Sequence, residues 1–287
     1  MMNIPTISEH LRLATGHLQQ CSDSPRLDAE VLLAHVLSLP RSALIARGDA
    51  SLEEPRREEF DRLIAERQRG VPVAYLTGTR EFWSLPLHVT PDVLVPRPET
   101  EELVELILAR LPADRAARVL DLGTGSGAIA LAIASERPRA RVIGTDVSGA
   151  ALEIAAGNAD SLGLTNVEWH RGSWFDAVAQ QRYDIIVSNP PYVASRDPAL
   201  KALHNEPLVA LSSGPMGWEA FVAIIASAPL FLTNHGLLAL EHGMGQAPAL
   251  GAILKARGFR DISSHHDRSG HARVMLATFH SSTQEPS

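Results

Sequence analysis

The feature that most constrains the fold is a regular alternation of strand and helix segments that begins at residue 118. Residues 119–122, Val-Leu-Asp-Leu, are typical of a buried strand, the glycine-rich residues 123–127 of a turn, and residues 128–136 of a helix. A second strand at 142–146 precedes a helix that runs from about residue 148 to residue 162. Such alternation predicts a doubly wound, mainly parallel α/β sheet.

The rest of the chain completes a seven-stranded, Rossmann-like sheet. Further strands are predicted at 167–170, 185–188 and 237–241, a helix at 247–257, and a closing hairpin of strands at 260–265 and 273–279. His265, His266 and His271 fall in this hairpin without an accompanying carboxylate-cysteine pattern of the kind that metal sites show. We therefore predict a solvated hairpin there and no metal.

The turn Gly123-Thr124-Gly125-Ser126-Gly127 lets a ligand approach the backbone between a strand and a helix. Its spacing fits either a dinucleotide or S-adenosylmethionine, and Asp146 follows about 20 residues later, where a ribose-binding acid is expected. Asp121 favours S-adenosylmethionine, because a carboxylate repels a pyrophosphate and can neighbour an ammonium and a sulfonium. The alternative interpretation of Asp146 is an ordinary helix N-cap.

The run Ile-Ile-Val-Ser-Asn-Pro-Pro-Tyr at residues 185–192 predicts a buried strand that stops at two prolines. Asn189 then lies at the carboxyl end of a strand, the edge where open α/β sheets bind ligands. The Asn189 side-chain oxygen and the Pro190 carbonyl can each accept one N–H of an amino group, while the Tyr192 ring packs on a planar amide or base. The alternative is a purely structural turn, in which Pro191 and its neighbours only end the strand.

From Ser8 to about Gly70 the sequence follows a helical pattern, with apolar residues at spacings of three and four. Pro25 and Pro55 mark helix starts. We predict a helical bundle over 1–80, a hairpin linker over 81–92, the main domain over 93–280 and a disordered tail over 281–287. The bundle either docks a protein substrate or only supports the main domain.

Composition limits the partners. The chain has 287 residues, 45% of them hydrophobic, and a formal charge of −7, which disfavours a protein that binds by neutralising many phosphates. Cys21 is the only cysteine, so an intramolecular disulfide is excluded. No run approaches about 18 apolar residues. We expect a cytoplasmic monomer that binds neither membrane nor DNA.

Asp121-Leu-Gly123-Thr-Gly125-Ser-Gly127, Asp146 and Asn189-Pro-Pro-Tyr192 together resemble a class I S-adenosylmethionine-dependent methyltransferase that acts on an amino group. The wider resemblance, over nearly the whole chain, is to the bacterial peptide chain release factor glutamine methyltransferases. It includes the helical amino-terminal bundle, Pro-Arg-Pro-Glu-Thr-Glu at 96–101, Ser-Trp-Phe at 173–175 and Leu-Glu-His-Gly at 240–243.

The resemblance implies that S-adenosylmethionine contacts the glycine turn, Asp146, Trp174 and Asn189, with Trp174 beside the adenine. From the residues alone, Trp174 could equally be a core aromatic. The implied reaction is methylation of the side-chain amide nitrogen of the glutamine in the Gly-Gly-Gln motif of class I release factors, which modulates translation termination. The implied catalytic residues are Asn189, Pro190, Pro191 and Tyr192.

Other functions remain open from the sequence. The nearest alternatives are methylation of a glutamine in a large-subunit ribosomal protein and methylation of an adenine amino group in DNA, which would require base flipping. An NAD-dependent dehydrogenase and a non-enzymatic cofactor sensor are more distant alternatives.

Overall fold

The computed structural model describes residues 5–280 and separates into two units, one ending at Thr79 and the other beginning at Arg80. The predicted tail over 281–287 lies outside the described residues. Among the helices of residues 5–280, none is both long and apolar enough to cross a membrane.

The first unit is helical. A capping box begins its first helix: the Thr6 hydroxyl accepts the Glu9 N–H at 3.3 Å, and the Glu9 carboxylate accepts the Thr6 N–H at 2.7 Å. The second and fourth helices begin at Pro25 and at Glu54, as their turn signals predicted. The helices are α1 (Ile7–Leu18), α2 (Pro25–Leu37), α3 (Arg41–Ala46), α4 (Glu54–Gln68) and α5 (Val73–Thr77).

The second unit contains the alternating elements. In chain order, from Thr79 on, they are β1 (Thr79–Phe82), β2 (Leu85–His88), α6 (Thr100–Leu108), β3 (Arg118–Leu122), α7 (Ala128–Glu136), β4 (Arg141–Asp146), α8 (Gly149–Leu162), β5 (Val167–Arg171), β6 (Tyr183–Ser188), α9 (Leu208–Leu211), α10 (Glu219–Phe231), β7 (Leu232–Glu241), α11 (Ala247–Ala256), β8 (Phe259–His266) and β9 (Ala272–Phe279). Two 3-10 helices, Trp174–Ala177 and Pro198–Lys201, lie between them.

The main sheet has the strand order β5-β4-β3-β6-β7-β9-β8. The strands β3 to β7 run parallel to one another, and β9 is antiparallel to both β7 and β8. The chain reverses its direction of winding at β3, so the carboxyl ends of β3, β4 and β6 meet at a topological switch point. The predicted doubly wound sheet of seven strands is confirmed.

Helices cover both faces of this sheet. Consecutive residues of β3 pack on opposite faces of the sheet. Val119 packs in a core with α6 and α7, and Leu120 packs in a second core with α10 and α11. Both strand side chains are buried, as expected for a parallel strand with a continuous apolar sequence. The α7 bounds agree with the predicted ones, 128–136.

Helix α10 was not predicted from the sequence. This helix is apolar around almost its whole circumference and contains Pro229, so it lacks both the amphipathic pattern and an uninterrupted helical composition. Its residues Phe221, Ile224 and Ala228 are fully buried. The strand β7 follows α10 directly and begins at Leu232, five residues before the predicted start at 237.

The β1–β2 hairpin, expected as a linker, packs within the second unit. Phe82 and Leu87 are buried in its core. The Asn158 side chain in α8 fixes the hairpin, because its oxygen accepts the His88 N–H at 2.7 Å and its nitrogen donates to the His88 carbonyl at 3.1 Å.

The Trp169 ring on β5 packs over a glycine of β4. A Cβ atom on Gly144 would lie 2.4 Å from Trp169 Cζ3 and 2.6 Å from Cε3. We predict that Gly144→Ala lowers the free energy of unfolding by about 1–3 kcal/mol, since the ring must move out of its packed position. Urea unfolding measures this change.

A matched variant separates crowding from any general effect of an added methyl group. Gly157 lies in α8, and a Cβ atom there would have none of the described neighbouring atoms within 4 Å. Gly157→Ala should therefore stabilise the chain by about 0.5–1 kcal/mol. Equal stability changes in the two variants would contradict the packing described for Trp169.

Candidate functional site

A cavity of about 370 Å³ opens at the switch point of the sheet. Its volume lies in the range of about 300–1,000 Å³ that is usual for small-molecule sites. The lining residues come from the loops after β3, β4, β5 and β6, from the segment before α6 and from the region around α9 and α10: Asp92, Val93, Leu94, Gly123, Gly125, Asp146, Val147, Ser148, Ala151, Gly172, Ser173, Trp174, Asn189, Pro191, Val209, Ala210, Ser212, Ser213, Glu219 and Ala220.

The structure brings many of the sequence-predicted site residues together. Those that line the cavity are Gly123, Gly125, Asp146, Trp174, Asn189 and Pro191. Those that do not line it are Thr124, Ser126, Gly127, Pro190 and Tyr192. The second group adjoins the lining residues in sequence.

The glycine turn uses its own N–H groups to bind the end of β4. The Gly123 and Thr124 N–H groups both donate to the Thr145 carbonyl, at 2.8 and 2.9 Å, and the Gly125 N–H donates to the Asp146 carboxylate at 2.9 Å. Both glycines have positive φ, +72° and +57°, which a residue with a side chain rarely adopts. Because these donors are occupied, the turn does not offer them to a phosphate.

The Asp146 carboxylate accepts hydrogen bonds from backbone N–H groups and also lines the cavity. One carboxylate oxygen accepts the Gly125 N–H and the other accepts the Ser148 N–H, each at 2.9 Å. Each oxygen keeps a further lone pair for a ligand hydroxyl. The alternative interpretation of Asp146 as an N-cap does not describe α8, since the N-cap is Ser148, whose hydroxyl accepts the Ala151 N–H at 3.2 Å.

The remaining residues of the turn hold it in place. The Ser126 carbonyl accepts from Asn158 at 2.9 Å. Gly127 precedes α7 with φ +83°, and a Cβ there would lie 3.1 Å from the Trp169 ring and 3.2 Å from Ala155. The third glycine is therefore required for close packing between helix and strand.

Asp121 lies behind the turn and not on the cavity wall. Its carboxyl is fully buried and accepts a hydrogen bond of 2.6 Å from the Thr124 hydroxyl, while its Oδ1 atom has no hydrogen-bond partner among residues 5–280. Burial raises the pKa of Asp121 to about 7, although the Thr124 hydroxyl and the Ala130 backbone N–H act in the opposite direction. A buried acceptor without a partner favours a nearby positive charge.

Trp174 supplies an aromatic wall. It begins a 3-10 helix after β5 and has φ +48°, an uncommon value for a residue with a large side chain. A Cβ atom on Gly123 would lie 3.6 Å from Trp174 Cζ3, so the ring packs against the glycine turn at van der Waals distance. The same side chain also packs on the core that contains α10, as the core-aromatic interpretation expects, and its place beside an adenine stays a prediction.

Asn189 follows β6 directly and lines the cavity. The preceding Ser188 is buried, and its hydroxyl donates to the Leu122 carbonyl at 2.6 Å, which fixes the ends of β6 and β3 together. The Asn189 side-chain nitrogen donates to the Thr100 hydroxyl at 3.3 Å. That bond leaves the side-chain oxygen as the acceptor that Asn189 can offer to a ligand.

Tyr192 is packed tightly from two sides. A Cβ atom on Gly217 would lie 2.4 Å from the Tyr192 carbonyl, and one on Gly243 would lie 3.1 Å from its ring. The Gln246 side chain donates to the Tyr192 carbonyl at 3.3 Å. Burial raises the pKa of Tyr192 to about 12, and the nearby Glu241 carboxyl acts in the same direction.

An ion pair joins two segments that supply cavity residues. The Arg97 guanidinium donates to the buried Glu206 carboxylate at 2.5 Å, and the other Glu206 oxygen accepts the Val95 N–H at 3.2 Å. Val93 and Val209, which flank these residues in sequence, both line the cavity. The proline-rich segment at 96–101 was evident in the sequence, but the ion pair of Arg97 with Glu206 was not. A pairing of residues more than a hundred positions apart leaves no local sequence pattern.

The charge of the cavity wall is negative. Its ionisable side chains are Asp92, Asp146 and Glu219, and none of the described lining residues is Lys, Arg or His. Glu219 was not predicted from the sequence, since it lies at the start of the unrecognised helix α10. A wall of this kind favours a cationic ligand and repels a phosphate-rich one.

Comparisons with known proteins agree with the architecture. Residues 9–78 match the family model of the PrmC N-terminal domain, and residues 100–213 match that of the methyltransferase small domain. Among solved structures, a methyltransferase from Pyrococcus furiosus is similar with a TM-score of 0.53 and 17% identity, covering 79% of this chain and 98% of that one. The Thermus thermophilus 16S rRNA N2 G1207 methyltransferase, solved with AdoMet and guanosine, is similar with a TM-score of 0.51 and 22% identity, covering 70% of this chain and 49% of that one.

Relatives of higher identity extend over nearly the whole sequence. The release factor glutamine methyltransferase of Coxiella burnetii is 44% identical over 95% of this chain and 98% of its own length. Those of Vibrio cholerae and Escherichia coli are 46% and 43% identical, over 96% and 94% of this chain and 97% and 98% of their own lengths. The chain therefore belongs to the release factor glutamine methyltransferase family.

Proposed function

We propose that this chain transfers the methyl group of S-adenosylmethionine to the side-chain amide nitrogen of a glutamine, the one in the Gly-Gly-Gln motif of class I release factors. The observation that carries the proposal is the position of Asn189, which follows a central strand on the wall of an acidic cavity that also contains the glycine turn and Asp146. Family membership supports the choice of substrate.

The residues present fit S-adenosylmethionine. The ligand carries an ammonium and a sulfonium, which suit the acidic wall and the buried Asp121 acceptor behind it. Asp146 is proposed to accept from the ribose hydroxyls, the glycine turn to allow close approach, and Trp174 to pack beside the adenine. When bound, the cofactor supplies an electrophilic methyl group.

The substrate amide needs orientation because its nitrogen lone pair is delocalised. The Asn189 side-chain oxygen is proposed to accept one N–H of the substrate, and the Pro190 carbonyl to accept the other. Pro191 keeps this segment extended beside the cavity, and the Tyr192 ring is proposed to lie against the amide plane. These contacts direct the amide nitrogen at the methyl group.

The chemical balance of the step is simple. A nitrogen–carbon bond forms, a sulfur–carbon bond breaks with its electron pair remaining on sulfur, and the methylated nitrogen loses one proton. Methylation makes that nitrogen acidic, so we propose that the proton passes to water and assign no general base.

Observations of the site disfavour two of the alternative functions. A dinucleotide pyrophosphate would face a turn whose N–H groups already donate to Thr145 and Asp146. A DNA substrate would meet an acidic cavity and a chain of formal charge −7. The ribosomal-protein glutamine uses the same chemistry and is distinguished by experiment.

We also propose that the helical region over 1–80 recognises the protein substrate. Its support is that the described lining residues of the cavity fall between residues 92 and 220, so none of them belongs to the helical unit. The match of residues 9–78 to a domain shared with the family is consistent with a role specific to these enzymes.

Asp146→Ala should weaken binding of S-adenosylmethionine at least about tenfold. A hydrogen bond to a charged group contributes about 1.5–3 kcal/mol, and two can be lost here. Isothermal calorimetry measures the affinity, and Asp160→Ala, an exposed change on α8, is the matched control. Unchanged binding in a folded Asp146→Ala protein would exclude this residue from the cofactor site.

Asn189→Ala should lower kcat for glutamine methylation about a hundredfold or more, because an orienting hydrogen bond is lost in the transition state. Asn189→Asp keeps an acceptor oxygen and should retain more activity than Asn189→Ala. Thermal unfolding establishes that both proteins fold. An Asn189→Ala rate within about threefold of wild type would show that the Asn-Pro-Pro-Tyr segment is only a structural turn.

A further inference from the structure

A buried hydroxyl contacts the Asn189 side chain. Thr100 is the first residue of α6 and is 4% exposed. Its Oγ1 atom accepts the hydrogen bond of 3.3 Å from the Asn189 side-chain nitrogen, and its backbone N–H donates to the Arg97 carbonyl at 3.1 Å. Thr100 does not line the cavity, so it contacts the site through Asn189.

A buried carboxyl also interacts with this hydroxyl. Glu241 ends β7, the strand next to β6, and the register pairs Ser188 with Leu240, one residue before Asn189 and Glu241. Glu241 is 2% exposed, and its Oε2 atom has no hydrogen-bond partner among the residues that the structure describes. The proposed reaction makes no use of this carboxyl.

Burial raises the pKa of Glu241 to about 7, and interactions with Thr100 and Arg273 act in the opposite direction. The hydrogen bond that orients Asn189 is the one between its side-chain nitrogen and the Thr100 hydroxyl.

The hydrogen bond to Thr100 determines the orientation of the Asn189 amide. Because the Asn189 side-chain nitrogen donates to the Thr100 hydroxyl, the side-chain oxygen is the atom left to face the cavity. Without the hydroxyl, either orientation of the amide is allowed, and the reversed one presents N–H groups to the donor N–H groups of a substrate amide.

We propose that Thr100 is a positioning residue that holds the Asn189 side-chain oxygen toward the substrate. The inference rests on the proposed function, because it assumes that Asn189 accepts from the glutamine amide. It adds a buried residue outside the Asn-Pro-Pro-Tyr motif.

The test is a comparison of Thr100→Val with Thr100→Ser, assayed as the full chain with release factor and S-adenosylmethionine. Valine keeps the shape and removes the hydroxyl, whereas serine keeps the hydroxyl. We expect Thr100→Val to lower kcat about tenfold or more with little change in KM for S-adenosylmethionine, and Thr100→Ser to remain within about threefold of wild type. Thr100→Ala is the second variant if the valine does not fold.

A double-mutant cycle tests whether the effect passes through Asn189. In the Asn189→Ala background, Thr100→Val should change kcat less than about threefold, because the group that it orients is gone. A tenfold loss in that background, equal losses in the valine and serine variants, or wild-type activity of folded Thr100→Val and Thr100→Ala would each overturn the inference. A wild-type rate for Asn189→Ala alone would instead overturn the role assigned to Asn189, whereas the proposed function itself fails if the wild-type chain transfers no methyl group to the release factor glutamine.

Discussion

The structure of the site depends on the hydrogen bonds between the glycine turn and the end of β4. The N–H groups of Gly123 and Thr124 donate to one carbonyl, that of Thr145, and Gly125 donates to Asp146. These bonds hold the turn after β3 against the neighbouring strand end and fix the Asp146 carboxylate at the cavity wall. These three N–H groups are therefore not free to bind a phosphate. The loss of these donors disfavours a dinucleotide, and the acidic cavity wall favours a ligand with positive charge.

Carboxyl groups behind the cavity wall support this arrangement. Asp121 accepts a hydrogen bond from Thr124, Glu206 binds the segment before α6, and Glu241 is buried at the end of β7, beside β6. Asp121 and Glu241 have raised pKa values of about 7 because they are fully buried, and each has an oxygen without a partner in the described part of the chain. A buried carboxyl oxygen without a hydrogen-bond partner destabilises the fold. Carboxyls of this kind beside a cavity are therefore more typical of a functional site than of a stabilising contact.

The sequence predicted the parts of the fold that depend on local pattern. The glycine turn, α7 and the strand before Asn189 were predicted because β-branched runs, glycine and proline have strong local preferences. Helix α10 was missed because a helix buried on nearly all sides has no amphipathic period.

The same distinction applies to the site, where Asp146 and Asn189 were expected at strand ends and both line the cavity. Glu219, the ion pair that joins Arg97 to Glu206, and the contact of Thr100 with Asn189 depend on residues that are distant in sequence, so only the folded chain reveals them. Tyr192 was predicted from its motif alone, and its place against a substrate amide stays a prediction.

The most direct test of the proposed function locates the transferred methyl group. The purified chain is incubated with isotope-labelled S-adenosylmethionine and, in separate reactions, a class I release factor, the same factor with its Gly-Gly-Gln glutamine replaced by alanine, a large-subunit ribosomal protein and DNA. Mass spectrometry of the digested products should show one added methyl group on the release factor glutamine and no label in the other reactions. Label that persists after the alanine replacement, or that enters only the ribosomal protein or DNA, would contradict the proposal.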